Sequence, residues 1–303
     1  LEAKVAVVHR GVALAEAFNS MARQLNTFET DLVNQTDKKV QQANVLLDQI
    51  AELNKQIVKI HAMGQNANDL MDRRDLLVDE LSGLINIEVD EDDLGGYKIS
   101  LSGTNDGSGQ PIQLLSADGE QVNHFDFNNN ALSVNGTQLY TIDGTQNDAD
   151  LSGEIFGYLQ SIEKVQWYHD QLNDLTNGFV DKINQLYNTS GDPSNNLFTG
   201  TAAIDIQFNP ILVQNPGDLK AGDPILSGDG DLARQIAELR NVVITFGTTD
   251  ATISDFYNGI IGQLGIESQE AQRRVENHQL LVDQTDMLRQ SVSGVSLDEE
   301  MAN

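Results

Sequence analysis

The chain has no cysteine, and its 303 residues include only 18 lysines and arginines, 5 prolines and 1 tryptophan. Without cysteine there is no disulfide, thiolate zinc site, iron–sulfur cluster or cysteine nucleophile. The few cations stand against 46 aspartates and glutamates, for a formal net charge of -28. That balance excludes nucleic acid as a partner, because binding a polyanion requires clustered Lys and Arg to displace its counterions. An anionic membrane surface would repel the chain for the same reason, and no apolar run approaches the roughly 20 residues that a span requires. No cationic start leads into an apolar core and a small-residue cleavage site, so no signal peptide is visible. Aromatics are 6% and hydrophobics 39% of the chain, low for a compact globule and common in long helical assemblies. The text opens at Leu1 within a helical pattern, which is the expectation for a fragment whose N-terminus is missing.

The length suggests about two domains at roughly 150 residues each, and charge helps to divide them. Residues 85–150 hold a single cation, Lys98, against 12 acidic side chains, whereas residues 1–84 hold 9 basic and 12 acidic groups. The apolar pattern changes over the same boundaries. Phe18, Met21, Leu25, Phe28 and Leu32, then Ala43, Leu46, Ile50, Leu53, Ile57 and Ile60, are spaced alternately by three and four, as in a coiled-coil seam. Between the runs the seam positions are Thr36 and Lys39, where the register stutters. Leu70, Leu77, Leu81 and Leu84 continue a helical face.

From Ile87 the period becomes two. Turn sequences recur at Asn105-Asp106-Gly107, Asp118-Gly119, Asn128-Asn129-Asn130, Asn135-Gly136 and Asp143-Gly144. Residues 87–150 are therefore expected to form an acidic antiparallel β domain inserted into a helical domain made of residues 1–86 and 151–303. Helical period returns after Ser152, an expected N-cap, and runs to about Asn188. Residues 189–230 are rich in Gly, Asp, Asn and Pro and read as a hairpin-bearing excursion. A short helix is expected over Leu232–Val243, and a long final one capped by Ser254. The fold class is mainly α with an inserted β domain, α+β: an elongated helical bundle from which the small β domain projects.

The search for chemistry assigns no catalytic, cofactor-binding or metal-ligating residue. His9, His61, His124, His169 and His278 are scattered, with no ligand spacing. The run Asp90-Glu91-Asp92-Asp93-Leu94-Gly95 lacks an EF-hand's closing glutamate, whose place falls at Leu101. Asp229-Gly230-Asp231 is likewise incomplete, and Asp231 reads as a helix cap. No phosphate-binding or nucleophile-elbow motif is present.

One charged segment is more specific. Asn68-Asp69-Leu70-Met71-Asp72-Arg73-Arg74-Asp75 opens a helix with Asn68 or Asp69 at its cap and Arg73 four residues after Asp69, the spacing of a surface ion pair. This stretch also resembles the NDL-D-RD helix of the flagellar hook-associated protein 1 family, the first hook-filament junction proteins. Ala43–Ile57 is similar to the family's preceding helix, and Ser152-Gly153-Glu154-Ile155-Phe156-Gly157 to its G-E-I-x-G-L helix start. The segment from Gln290 to Asn303 resembles the entry to its C-terminal zone.

The resemblance implies a structural, non-enzymatic protein of the bacterial flagellum, exported through the flagellar type III apparatus without a cleaved signal and located outside the cell. It implies as partners the hook protein, the second hook-filament junction protein, copies of itself in a ring, and an export chaperone for the full-length chain. It implies no cofactor, no nucleic acid and no membrane. Terminal polymerisation zones of the family are missing from this sequence, so the fragment is expected to be mainly monomeric. A secreted adhesin-type or other axial filament protein, or an enzyme carried on the β insert, are the alternative classes.

Overall fold

The computed structural model describes residues 1–105, 108–142, 151–222 and 229–293. The expected turns at Asp106-Gly107 and Asp143-Gly144, and the C-terminal motif beyond residue 293, lie outside the described residues. The chain is α+β, with small antiparallel sheets in the middle of a mainly helical protein. It packs into two compact units, Leu1–Ala15 with Asn173–Asn303, and Glu16–Leu172.

The unit of residues 16–172 holds most of helix α1 (Glu2–Ala62), helix α2 (Asn68–Leu84) and the first half of helix α3 (Glu154–Tyr187). Between α2 and α3 lie two three-stranded antiparallel sheets. The first is β1 (Ile87–Glu91), β2 (Tyr97–Asn105) and β3 (Pro111–Leu115); the second is β4 (Phe125–Asn128), β5 (Ala131–Val134) and β6 (Thr137–Thr141). The hairpins of the second sheet follow from their turn residues. Asn129 and Asn130, then Asn135 and Gly136, all have positive φ, the requirement of a two-residue primed turn.

The strands do not bury a core of their own. Ile99, Leu101, Leu114 and Leu132 share one apolar cluster with Leu47 and Ile50 of α1, Leu81 of α2 and Leu159 of α3. A three-stranded sheet with one covered face is stable only when packed on something else. The division between compact units falls inside α1 and α3. The ends of the strand-bearing segment lie side by side. Asn86 donates its amide to the Ser152 carbonyl at 3.2 Å and accepts the Ser152 amide on Oδ1 at 2.8 Å.

Several local expectations shift by a residue or more. On α1 the buried positions run Leu32, Thr36, Val40 and Ala43, so Val40 replaces Lys39 at the stutter; Lys39 reaches Glu154 at 3.0 Å. Thr36 is tolerated inside because its hydroxyl donates to the Leu32 carbonyl at 2.9 Å. Met21 and Phe28 face water at 38% and 55% exposure. The cap of α2 is Ala67, not Asn68 or Asp69, because Ala67 is drawn into a cluster with Leu53 and Ile57. For α3 the first helical hydrogen bond runs from the Gly157 amide to the Gly153 carbonyl at 3.1 Å. The cap position is thus Gly153, with φ 98° and no room for a Cβ beside the Leu84 carbonyl, while Ser152 is held by Asn86.

The other unit begins with residues 2–15 of α1 and the second half of α3. Strands β7 (Phe198–Thr199) and β8 (Gln207–Phe208) pair in a short hairpin, followed by α4 (Pro210–Gln214) and α5 (Asp231–Glu238). The cap of α5 is Gly230, and Asp231 is its first helical residue, its own amide donating to Asp229 Oδ1 at 2.9 Å. A second hairpin, β9 (Ile244–Phe246) with β10 (Thr249–Ala251), precedes the long helix α6 (Ile253–Ser293). Thr252, not Ser254, caps α6: its Oγ1 accepts the Asp255 amide at 3.1 Å and donates to the Asp255 carboxylate at 2.8 Å, a reciprocal capping arrangement. No described helix is long and apolar enough to cross a membrane.

Candidate functional site

The charged segment singled out in the sequence folds around Arg74, whereas Arg73 stays exposed. Arg74 is wholly buried, with its guanidinium 3.3 Å from the centre of the Tyr97 ring. Its Nη1 donates to the Gly95 carbonyl and to Asn54 Oδ1 at 3.4 Å, and its Nε lies 3.7 Å from an Asp75 carboxylate oxygen. A desolvated cation over an aromatic face is worth about 2 kcal/mol. Burial, and then the Asp75 carboxylate that accepts its hydroxyl, push the Tyr97 phenol above its ordinary value. The turn beneath is shaped to admit these contacts. Asp92 Oδ1 accepts the amides of Leu94 at 3.0 Å and Gly96 at 2.7 Å. Gly96 approaches the Ala117 carbonyl so closely that a Cβ would stand 2.1 Å from its oxygen. The acidic run 90–95 therefore spends Asp92 on its own turn, and among the described residues no group of three or more His, Asp or Glu is placed to hold a metal ion.

A second device recurs three times. Asn54 of α1 donates to the Tyr97 carbonyl at 2.8 Å and accepts the Tyr97 amide at 3.2 Å. Asn44, ten residues earlier, treats Phe125 in the same way, at 2.8 Å in each direction. Asn184 of α3 donates to the Phe198 carbonyl at 2.9 Å and accepts the Phe198 amide at 3.1 Å. Tyr97, Phe125 and Phe198 each begin a strand, so a helix-borne amide stands in for the neighbouring strand that those backbone groups lack. Sequence reasoning passed over these asparagines. Their signal was an amide within an apolar helical stripe, beside Ala43 and Leu53 on α1 and Ile183 on α3.

In the other unit two glycines serve as sockets. A Cβ on Gly11 of α1 would meet the Phe208 ring at 2.2 Å, and one on Gly178 of α3 the Phe246 ring at 2.5 Å. Phe208 leads through Phe198 to Phe179 in edge-to-face contacts, and Phe246 stacks on Phe256 with centroids 4.5 Å apart. Phe256 is α6's one fully covered large apolar residue among those described. Tyr257, Ile261, Leu264, Val275, Leu281 and Leu288 are all exposed. The 41-residue α6 thus leaves most of its described large apolar residues uncovered.

The family profile described as the flagellar hook-associated protein FlgK helical domain matches residues 1–198. The chain belongs to this family. The matched FlgK helical-domain region takes in α1, α2, the six strands of both sheets, α3 and the Arg74 cluster. Among curated proteins, flagellar hook-associated protein 1 of Bacillus subtilis is 28% identical over an alignment of 338 positions that takes in 99% of this chain and 66% of that protein. The proteins of the same name from Salmonella typhimurium and Escherichia coli are each 31% identical over 102 residues, 33% of this chain. The chain thus spans about two thirds of the Bacillus relative's length, and its matches to the other two cover 18% and 19% of theirs.

Proposed function

We propose that this chain is the core of a structural protein of the bacterial flagellum, one that joins the hook to the filament outside the cell. The observation that carries the reading is the membership of residues 1–198 in the FlgK helical-domain family, together with a Bacillus relative that bears the hook-associated name across 99% of the chain. The uncovered repeat of α6 supports it, since an axial subunit must present helical faces to its neighbours. The partners on this reading are the hook protein, the second junction protein and further copies of the chain in a ring, with a chaperone before export of the full-length protein. The isolated chain is a monomer.

The protein is not an enzyme on this reading, and it uses no cofactor, metal or catalytic residue. We also read residues 87–150 as an insert in a helical scaffold of residues 1–86 and 151–303. The two hydrogen bonds between Asn86 and Ser152 support that reading, because they bring the ends of the insert together.

The test is immunogold electron microscopy of flagella sheared from the source bacterium, with antibody against this chain. A ring of label confined to the hook-filament joint is expected. Label along the hook or filament, or none on flagella, would overturn the assignment and favour an adhesin or an enzyme.

A further inference from the structure

Asparagine is followed by glycine at three places, Asn135-Gly136, Asn177-Gly178 and Asn258-Gly259. Glycine has no side chain to keep its backbone nitrogen away from the amide carbon of the preceding asparagine, so the two can close a five-membered ring. The backbone decides whether they do. Gly178 lies within α3 and Gly259 within α6, where the glycine amide is committed to the carbonyl one turn back and the helix holds it away from the asparagine side chain. Gly178 is also pinned beneath the Phe246 ring. Exposure alone does not separate the sites, because Asn258 faces water as Asn135 does.

The turn is different. The pair Val134 and Thr137 closes the ladder between β5 and β6 and leaves Asn135 and Gly136 as the two loop residues. Both are exposed. Among the described residues the Gly136 amide donates to no backbone group outside the strands, and a Cβ on Gly136 would have nothing within 4 Å. Asn135 holds φ 48°, a left-handed conformation that costs a residue with a side chain, so little opposes its leaving.

We propose that Asn135 is a site of spontaneous covalent modification, deamidation to isoaspartate, and that the product loosens the β5–β6 hairpin. The Gly136 nitrogen gives its proton to solvent base and attacks Asn135 Cγ. That carbon–nitrogen bond forms, the bond from Cγ to the side-chain nitrogen breaks, and ammonia leaves with a proton from solvent. Water then opens the succinimide. Cleavage at the former side-chain carbonyl gives aspartate, and cleavage at the main-chain carbonyl gives isoaspartate, whose backbone runs through the extra methylene. Solvent water is the sole co-reactant. A two-residue primed turn has no place for an added backbone atom, so the pairing of Val134 with Thr137 is lost first. Leu132, Val134, Leu139 and Tyr140 of this hairpin belong to the shared apolar cluster. This chemistry holds whichever role the flagellar labelling gives the chain.

The test incubates the folded chain in warm, mildly alkaline buffer and follows the three asparagine peptides by mass spectrometry, with isoaspartyl methyltransferase labelling to mark isoaspartate. Asn135 should react about tenfold faster than Asn177 or Asn258 or more, because a turn opens at little cost whereas a helical residue must first break its helix. In urea, where the backbones no longer differ, the three should react at similar rates. Asn135 no faster than Asn258 in the folded chain overturns the site; an equal lead for Asn135 in urea assigns the selectivity to neighbouring residues and overturns the structural account. Hydrogen exchange then reads the consequence. The isoaspartate fraction, separated by ion exchange, should open β5 and β6 faster than the parent with α2 unchanged. Fresh Asn135→Asp, which adds the charge without the methylene, should keep the parent's pattern. Equal loosening in Asn135→Asp, or none in the isoaspartate fraction, overturns the effect on the hairpin.

Discussion

In the unit of residues 16–172, Leu47, Ile50, Leu81, Leu132 and Leu159 are shut away from water, whereas in α6 Leu264, Val275 and Leu288, of the same chemistry, stand exposed. Burying such a side chain contributes about 1.5–3 kcal/mol relative to leaving it in water, so the first set stabilises this chain and the second does not. Within the other unit the glycines draw the same contrast. Gly11 and Gly178 each lie under a phenylalanine ring, while Gly259, Gly262 and Gly265 of α6 have no non-neighbouring atom within 4 Å of a Cβ. One part of the molecule is packed to the limit of its backbone, while α6 presents its large apolar side chains to solvent.

The sharpest way to break the packed region is at Arg74. Arg74→Ala removes a buried cation from Tyr97, Gly95 and Asn54 and leaves a cavity, for an expected loss of about 3–5 kcal/mol. Arg74→Lys keeps the charge but not the planar fork, and should lose about 2 kcal/mol. Guanidinium unfolding curves with unchanged slope check both. Equal stability of the Ala variant and the parent would mean that the cluster contributes nothing.

Asn44→Ala unpairs both backbone groups of Phe125 at the start of β4, and about 1–3 kcal/mol should follow. Hydrogen exchange should show faster opening of β4 and β5 than of α2; uniform acceleration would contradict a local bracket. The glycines allow one substitution to be compared in a packed and an open setting. Gly178→Ala forces the Phe246 ring aside and should destabilise by about 1–3 kcal/mol. Gly262→Ala meets open space and should stabilise the helix by up to about 1 kcal/mol. The same sign at both positions, read from thermal melts, would remove the contrast.

Much of this organisation was legible because it rests on period. The change from helical to alternating spacing near Ile87, the Asn-Gly turn at 135–136 and the long helices all come from local sequence chemistry. What was not legible depends on contacts made across the chain. The helix starts at Ala67 and Gly153 differ from the residues with the better capping side chains, because neighbours such as Leu53, Ile57 and Asn86 decide where the backbone turns. Arg73 and Arg74 are alike in sequence, and only the hairpin folded over α2 separates them. Asn44, Asn54 and Asn184 read as polar interruptions until the strand ends they serve are in place. The sharing of one core by strands and helices was hidden for a related reason: alternation shows that a strand has an apolar face, not what covers it.

Tyr140 provides a smaller and pH-dependent test of that shared core. Its hydroxyl donates to Glu163 of α3 at 2.5 Å, and its ring meets Phe156 edge-on. Burial first, and then Glu163, hold the phenol protonated well above its ordinary value of 10.0. A folded-state value above the unfolded one means that stability is intact below about pH 10 and falls as pH rises beyond it, when the unfolded chain ionises and the folded one does not. Tyr140→Phe should flatten this alkaline limb of the melting profile; an unchanged limb would show that another group sets it.

The smallest effect is expected on α6. Leu264→Glu changes a side chain that is 48% exposed, so the stability of the isolated chain should stay within about 0.5 kcal/mol of the parent. The same change places a carboxylate in the seam that a neighbouring subunit would cover, where an unpaired charge is expensive to bury. Bacteria carrying it in the full-length protein should therefore make a stable subunit yet lose filaments from their hooks, scored by electron microscopy and swimming assays. If motility is intact, the exposed repeat of α6 is surface and not interface. If the isolated chain loses more than about 1 kcal/mol, a scale met by core and not surface changes, α6 belongs with the packed region after all.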